Sequence, residues 1–124
     1  MTVAPGEPRV VSILDLAERA LDGRDPVRRM PIGCSGVASA HIVVVRESLP
    51  SGTNAEVDEM LYLVAGEASL TLGEKAQPIT PGWFSVVPRG MARAVARKGR
   101  NPAVFLSVLS GQPCGAGSDS QSRR

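Results

Sequence analysis

Imidazole is almost missing from this chain of 124 residues. His41 is its only histidine, and Cys34 and Cys114 are its only cysteines. One histidine and two isolated cysteines cannot supply a four-ligand zinc finger. Cys114 sits in a Gly/Ser-rich tail, so a structural disulfide to Cys34 is not expected, and a reduced, cytoplasmic location fits. Aromatic residues make up 3% and the net charge is +2. With its arginines scattered and few aromatics between them, the chain lacks the basic, ring-studded surface of a nucleic-acid binder. No apolar run approaches the ~20 residues of a membrane span. The opening MTVAPGEPRV has no charged start followed by an apolar core, so it does not read as a secretory signal.

What is present suits one globular domain. Hydrophobic residues reach 43% against 21% charged, enough to build a single core in a chain of this length. An abundance of Ala, Arg, Gly and Val points to a GC-rich bacterial genome. Residues 1–9 carry Pro5, Gly6 and Pro8 and read as a loose arm. SILDLAERALDG reads as a helix capped by Ser12, with Asp15 completing a capping-box spacing. Its apolar face is formed by Ile13, Leu14, Leu16, Ala17, Ala20 and Leu21. Gly23 and Asp25-Pro26 stop it.

From Val27 the pattern turns to β. VASAHIVVVRESL, EMLYLVAGEASLTLGE (two strands meeting at Ala65-Gly66-Glu67), AQPIT, WFSVVP, MARAVARK and AVFLSVLS are each bounded by Gly or Pro. Seven or eight short strands at that spacing predict an all-β sandwich or antiparallel barrel over residues 10–111. The tail over 112–124, GQPCGAGSDSQSRR, has the composition of a disordered segment.

Between Gly36 and Leu109 the chain resembles the cupin superfamily, whose first motif runs G-x5-H-x-H-x3,4-E-x6-G. Glu59 and Gly66 match its second half. The second motif, G-x5-P-x-G-x2-H-x3-N, is matched by GWFSVVPRG, with Gly82, Pro88 and Gly90 in register. The resemblance implies a cupin-type antiparallel β-barrel or jelly roll with one short N-terminal helix. Its histidine positions fall on Thr53 and Ala55, or on Gly52 and Asn54, and on Arg93 in the second motif. Of four family ligands only Glu59 remains, and a lone carboxylate without imidazole holds iron, nickel, zinc or copper poorly. No metal or other cofactor is therefore expected.

The resemblance implies that Glu59 points into the barrel with Leu61 and Leu63 on the same face. An inward carboxylate needs a partner. Glu59 is a candidate general acid or base. Arg93 stands at a former ligand position. It can pair with Glu59, or bind an anionic or enolic oxygen of a ligand; the second role is the one expected. His41 lies in a strand with two apolar faces, so alternation leaves its direction open. If inward, it is a second acid/base group beside Glu59; a structural histidine is the plainer reading. Leu61, Leu63, Trp83 and Arg93 are candidate substrate contacts, although Trp83 and Phe84 also suit a core. Asp58 and Tyr62 alternate to the outside. Cys34 has no base near it in sequence and reads as a small buried or loop residue.

These residues point to a small-molecule-binding cupin doing metal-independent acid/base chemistry of the isomerase, epimerase, dehydratase or cyclase type. The alternative is a non-catalytic cupin acting as a ligand sensor or structural partner. The strands IVVV and VFLSVLS are apolar on both faces, which calls for a cover and hence a homodimer. The expected partners are a small organic ligand and a second copy, with neither nucleic acid nor a membrane.

Overall fold

A computed structural model describes residues 6–111. The arm's first five residues, the tail over 112–124 and Cys114 lie outside the described residues. The order is helix α1 (Ile13–Ala20), then strands β1 (Val27–Cys34), β2 (Ala38–Val45), β3 (Ser48–Thr53), β4 (Asp58–Ala65), β5 (Ala68–Leu72), β6 (Lys75–Ile79), β7 (Phe84–Val87), β8 (Ala92–Arg97) and β9 (Ala103–Ser110). They form two antiparallel sheets, β1-β2-β9-β4-β7 and β3-β8-β5-β6. The all-β jelly roll with one N-terminal helix is as the sequence predicts.

Two strands escape the sequence pattern, β1 and β3. Both contain proline, Pro31 in β1 and Pro50 in β3, and both break register nearby, between Pro31 and Gly33 and between Leu49 and Gly52. Proline removes a ladder donor, so it is tolerated where one side of the strand has no neighbour. β1 and β3 are sheet edges, as is β6, which holds Pro78. Three of the four edges are thus blunted against further pairing. The fourth, β7, has no proline within Phe84–Val87.

The core has two layers because sheet β1-β2-β9-β4-β7 is covered on both faces. Between the sheets pack Val43, Val45, Leu61, Leu63, Leu70, Ile79, Val87, Val95 and Phe105. On the outer face, Ala17 and Ala20 of α1 pack with Ile32, Ile42, Val44 and Val104. That cover explains why β2 is apolar on both sides. Ser12 Oγ accepts from Asp15 N at 3.3 Å, the capping contact that the spacing predicts. The apolar stripe is narrower than expected: Leu14 faces solvent, since only the turn positions of Ile13, Leu16, Ala17 and Ala20 meet the sheet. At the other end, Arg28 Nη1 donates to Asp22 O at 2.8 Å and Arg46 Nη2 to Leu21 O at 2.6 Å. Arg28 of β1 and Arg46, just after β2, therefore satisfy carbonyls at the C-terminal end of the helix and place positive charge at its negative end.

Gly66 shows why the first motif ends in glycine. Its φ is +81°, and a Cβ there would stand 2.3 Å from Pro102 O. The β4–β5 turn passes directly over the backbone that leads into β9, and only a residue without a side chain fits. Gly66→Ala should lower stability by at least ~2 kcal/mol, since it adds a strained backbone to a backbone clash. Chemical denaturation checks this; a loss under about 0.5 kcal/mol would mean that the turn moves freely.

Candidate functional site

Strand alternation sets the site. Val43 and Val45 of β2 lie between the sheets, so His41 shares their inward face, and its exposure is 3%. By the same rule Glu59 goes inward with Leu61 and Leu63 on β4, and Ser107 with Phe105 on β9. Register brings them close: His41 stands opposite Ser107, and Leu61 stands opposite Ser107 on the other side. From the facing sheet, Arg93 of β8 projects into the same end of the barrel, beside Gly52 of β3 and Leu72 of β5.

Glu59 is 1% exposed and Arg93 8%. Arg93 Nε and Nη2 donate to Glu59 Oε1 at 3.0 and 2.8 Å. Ser107 Oγ donates to Glu59 Oε2 at 2.7 Å. Each carboxylate oxygen is therefore engaged by the protein. Coulomb attraction between full charges at this distance is strong away from water, and the hydroxyl fills the remaining acceptor. Ser107 is the member of this group that sequence reasoning misses. Its signal was a hydroxyl in the apolar run AVFLSVLS, on the alternation face of Phe105.

Immediately outside, Asp58 points the other way and is not merely solvated. Its Oδ1 accepts from Arg89 N at 2.9 Å, and the Arg89 side chain pairs with it at 3.4 Å. The Arg89 backbone N–H, then its side-chain hydrogen bond, hold the Asp58 carboxyl below its ordinary 3.8 against the opposing effect of burial. Gly90 N donates to Asn54 O at 2.6 Å. Adjacent residues Asp58 and Glu59 thus fasten the second motif's turn on the outside and its arginine on the inside.

The residues at the family's metal positions do not fit a transition metal. Gly52 and Thr53 close β3 next to Arg93, so the fold does bring these positions together. They offer no imidazole, Glu59 has both oxygens occupied, and Arg93 brings a positive charge to the same place. Among the described residues no three His, Cys, Asp or Glu side chains cluster as a metal site would require.

Among the described residues, an open space lies elsewhere in the barrel. A cavity of about 530 Å³ occupies the seam where β6 of one sheet and β7 of the other come together. Leu70 and Ile79 belong to the core and form its floor; Leu72, Trp83, Pro88 and Met91 complete apolar walls. Lys75, Gln77 and Ser85 supply its polar groups, and Phe84 and Val86 stand on the rim. Of the expected substrate contacts, Trp83 lines this cavity, whereas Leu61 and Leu63 pack in the closed core. Glu59, Arg93 and His41 are not in its walls. The row Arg93, Leu72, Lys75 across the inner sheet face puts Leu72 between the buried ion pair and the cavity.

Cys34 corrects an expectation: it is disulfide-bonded. The free thiol read from the sequence, and the reducing compartment argued from it, lose their support. The only other cysteine, Cys114, lies outside the described residues, where a polar tail gave no geometric signal. No helix among the described residues is long and apolar enough to cross a membrane.

No protein-family model and no curated protein matches the chain. Solved structures do. An RmlC-like cupin from Shewanella frigidimarina superposes with a TM-score of 0.64 at 14% identity, over 73% of this chain and 80% of that one. An uncharacterised conserved protein with a double-stranded β-helix domain from Klebsiella pneumoniae gives 0.72 at 16% identity, over 90% and 95%. The cupin domain of Schizosaccharomyces pombe Cnp3 gives 0.68 at 10% identity, over 86% and 77%. At such identities the likeness is one of fold.

Glu59→Gln or Arg93→Met should each cost roughly 3–5 kcal/mol, because each strands a charge in the interior, and the double variant should recover much of the loss. Unfolding of the two single variants and the double variant measures the coupling. Single variants that keep wild-type stability would show a pair that is not structural.

Proposed function

On a chain with the cupin fold, we propose a protein that binds a small organic molecule in the β6–β7 seam cavity without a transition metal. The cavity carries this reading. A concave, largely apolar space with a few polar groups is the usual form of a ligand site, and its volume falls in the usual range. The Glu59–Arg93–Ser107 group serves as scaffold: it joins the two sheets at one end of the barrel and leaves the cavity open beside it. Among the described residues, the cavity lining offers Lys75 but no acid/base pair, which favours binding.

The enzyme reading has one observation in its favour. Glu59, Arg93 and Ser107 are in contact at the barrel end that also holds His41. As an acid/base enzyme, with Glu59 moving a proton and Arg93 holding an anionic or enolic oxygen, the protein would have to open that ion pair to admit substrate.

Trp83 is the chain's single tryptophan and lies in the cavity wall, so its emission reports occupancy directly. A library of small organic acids, alcohols and amides should contain compounds that change Trp83 emission and raise the melting temperature. Leu72→Phe, which narrows the cavity, should abolish both effects. Compounds whose binding is indifferent to Leu72→Phe would place the site elsewhere.

A homodimer is part of this proposal. The helix leaves the outer face of β4 and β7 uncovered, where the cross-strand pairs Met60–Val86 and Tyr62–Phe84 form one apolar patch. Phe84 and Val86 are 57% and 53% exposed. β7 is also the edge without an internal proline. A second copy would cover both the patch and the edge. Light scattering should give twice the chain mass at micromolar concentration, and Val86→Lys should halve it; a wild-type monomer would contradict the dimer.

A further inference from the structure

Among the described residues, the two arginines of the second motif each have a carboxylate partner. Arg93 is held by Glu59, and Arg89 by Asp58. Among the described residues, Lys75 is the only charged one in the cavity wall, and no carboxylate lines it. Lys75, Gln77 and Ile79 alternate along β6 and face the same side, so they grade the cavity from charged to amide to aliphatic. The pairing of β5 with β6 extends the gradient: Leu72 lies opposite Lys75, Leu70 opposite Gln77, and Ala68 opposite Ile79. Four residue steps of strand lead from Lys75 to Ile79, a span of about 13 Å. Ser85, inward on β7, adds a hydroxyl to the wall.

We propose that the seam cavity selects an elongated anionic amphiphile, with its carboxylate at Lys75 and its apolar body lying along β6 toward Ile79, Leu70 and Trp83. This rests on the reading of the cavity as the ligand site, and it moves the anion-binding role from Arg93, which the sequence favours, to Lys75. The physical reason is availability. The guanidinium of Arg93 already has its counter-charge and would have to give it up, whereas the Lys75 ammonium has none in the cavity. A carboxylate there gains a charge-assisted hydrogen bond, while the body removes the apolar walls from water. A compact dianion would gain the first and forgo the second. A neutral chain would gain only the second.

The test titrates Trp83 emission with decanoate, whose extended chain matches the span, and with decanol, its neutral counterpart. Decanoate should bind at least about tenfold more tightly at low salt, and the difference should shrink as ionic strength rises. Lys75→Met keeps the aliphatic stem and removes the charge, so it should abolish the preference for decanoate over decanol. Lys75→Arg should retain the preference. Lys75 is exposed, so the variants should fold, and their melting temperatures check this. Equal binding of decanoate and decanol to the wild type, or a preference that survives Lys75→Met, would overturn the Lys75 assignment while leaving the cavity as a ligand site. No binding of either compound would overturn both.

Discussion

A carboxylate with no water around it has to be answered from within, and the interior of this barrel is organised around that requirement. Glu59 is held on one oxygen by Arg93 from the opposite sheet and on the other by Ser107 from the neighbouring strand. The contact crosses the sandwich, so it fixes how β4 and β9 face β8 as well as satisfying charge. Aliphatic packing is tolerant of small slips in register; this contact is not. A one-residue slip of β4 would turn Glu59 to the outside and leave Arg93 uncompensated. Replacing a group of this kind with apolar residues is often neutral or stabilising, so its presence speaks for specificity of arrangement more than for strength.

In a cupin metal centre the same positions converge on a cation. Here the convergence persists, with a guanidinium supplying the positive charge. β3 still delivers Gly52 and Thr53 to the side of Arg93. The change has a spatial consequence. With the barrel end closed by an internal ion pair, the cavity along the β6–β7 seam stands apart from it, lined among others by Lys75, Gln77, Ser85 and Trp83.

The barrel was legible in the sequence because its central strands are β-branched runs punctuated by Gly and Pro, and because Glu59, Gly66, Gly82, Pro88 and Gly90 keep the family spacing. β1 and β3 were not legible, since Pro31 and Pro50 read as breaks until the strands are known to be edges. Glu59 and Arg93 were found from motif positions, but spacing cannot say whether two charges face each other or a ligand; that depends on the distance between sheets. His41 was undecidable by alternation, because α1 makes the outer face of β2 as apolar as the inner one. Of the seam cavity only Trp83 was anticipated. Its lining lies between Leu70 and Met91 but on strands of two different sheets, and the short strand read from AQPIT gave no sign that Lys75 and Gln77 would line a cavity. The disulfide at Cys34 was missed because two cysteines far apart in sequence give no geometric signal.

A crystal structure of the protein with decanoate tests the central claim most directly. The expected result is ligand density along β6 between Leu70 and Trp83, its carboxylate at Lys75 Nζ, with Arg93 and Ser107 still on the two oxygens of Glu59. Ligand density between Glu59 and Arg93, with the guanidinium turned away from the carboxylate, would contradict it and restore that pair as the reactive centre.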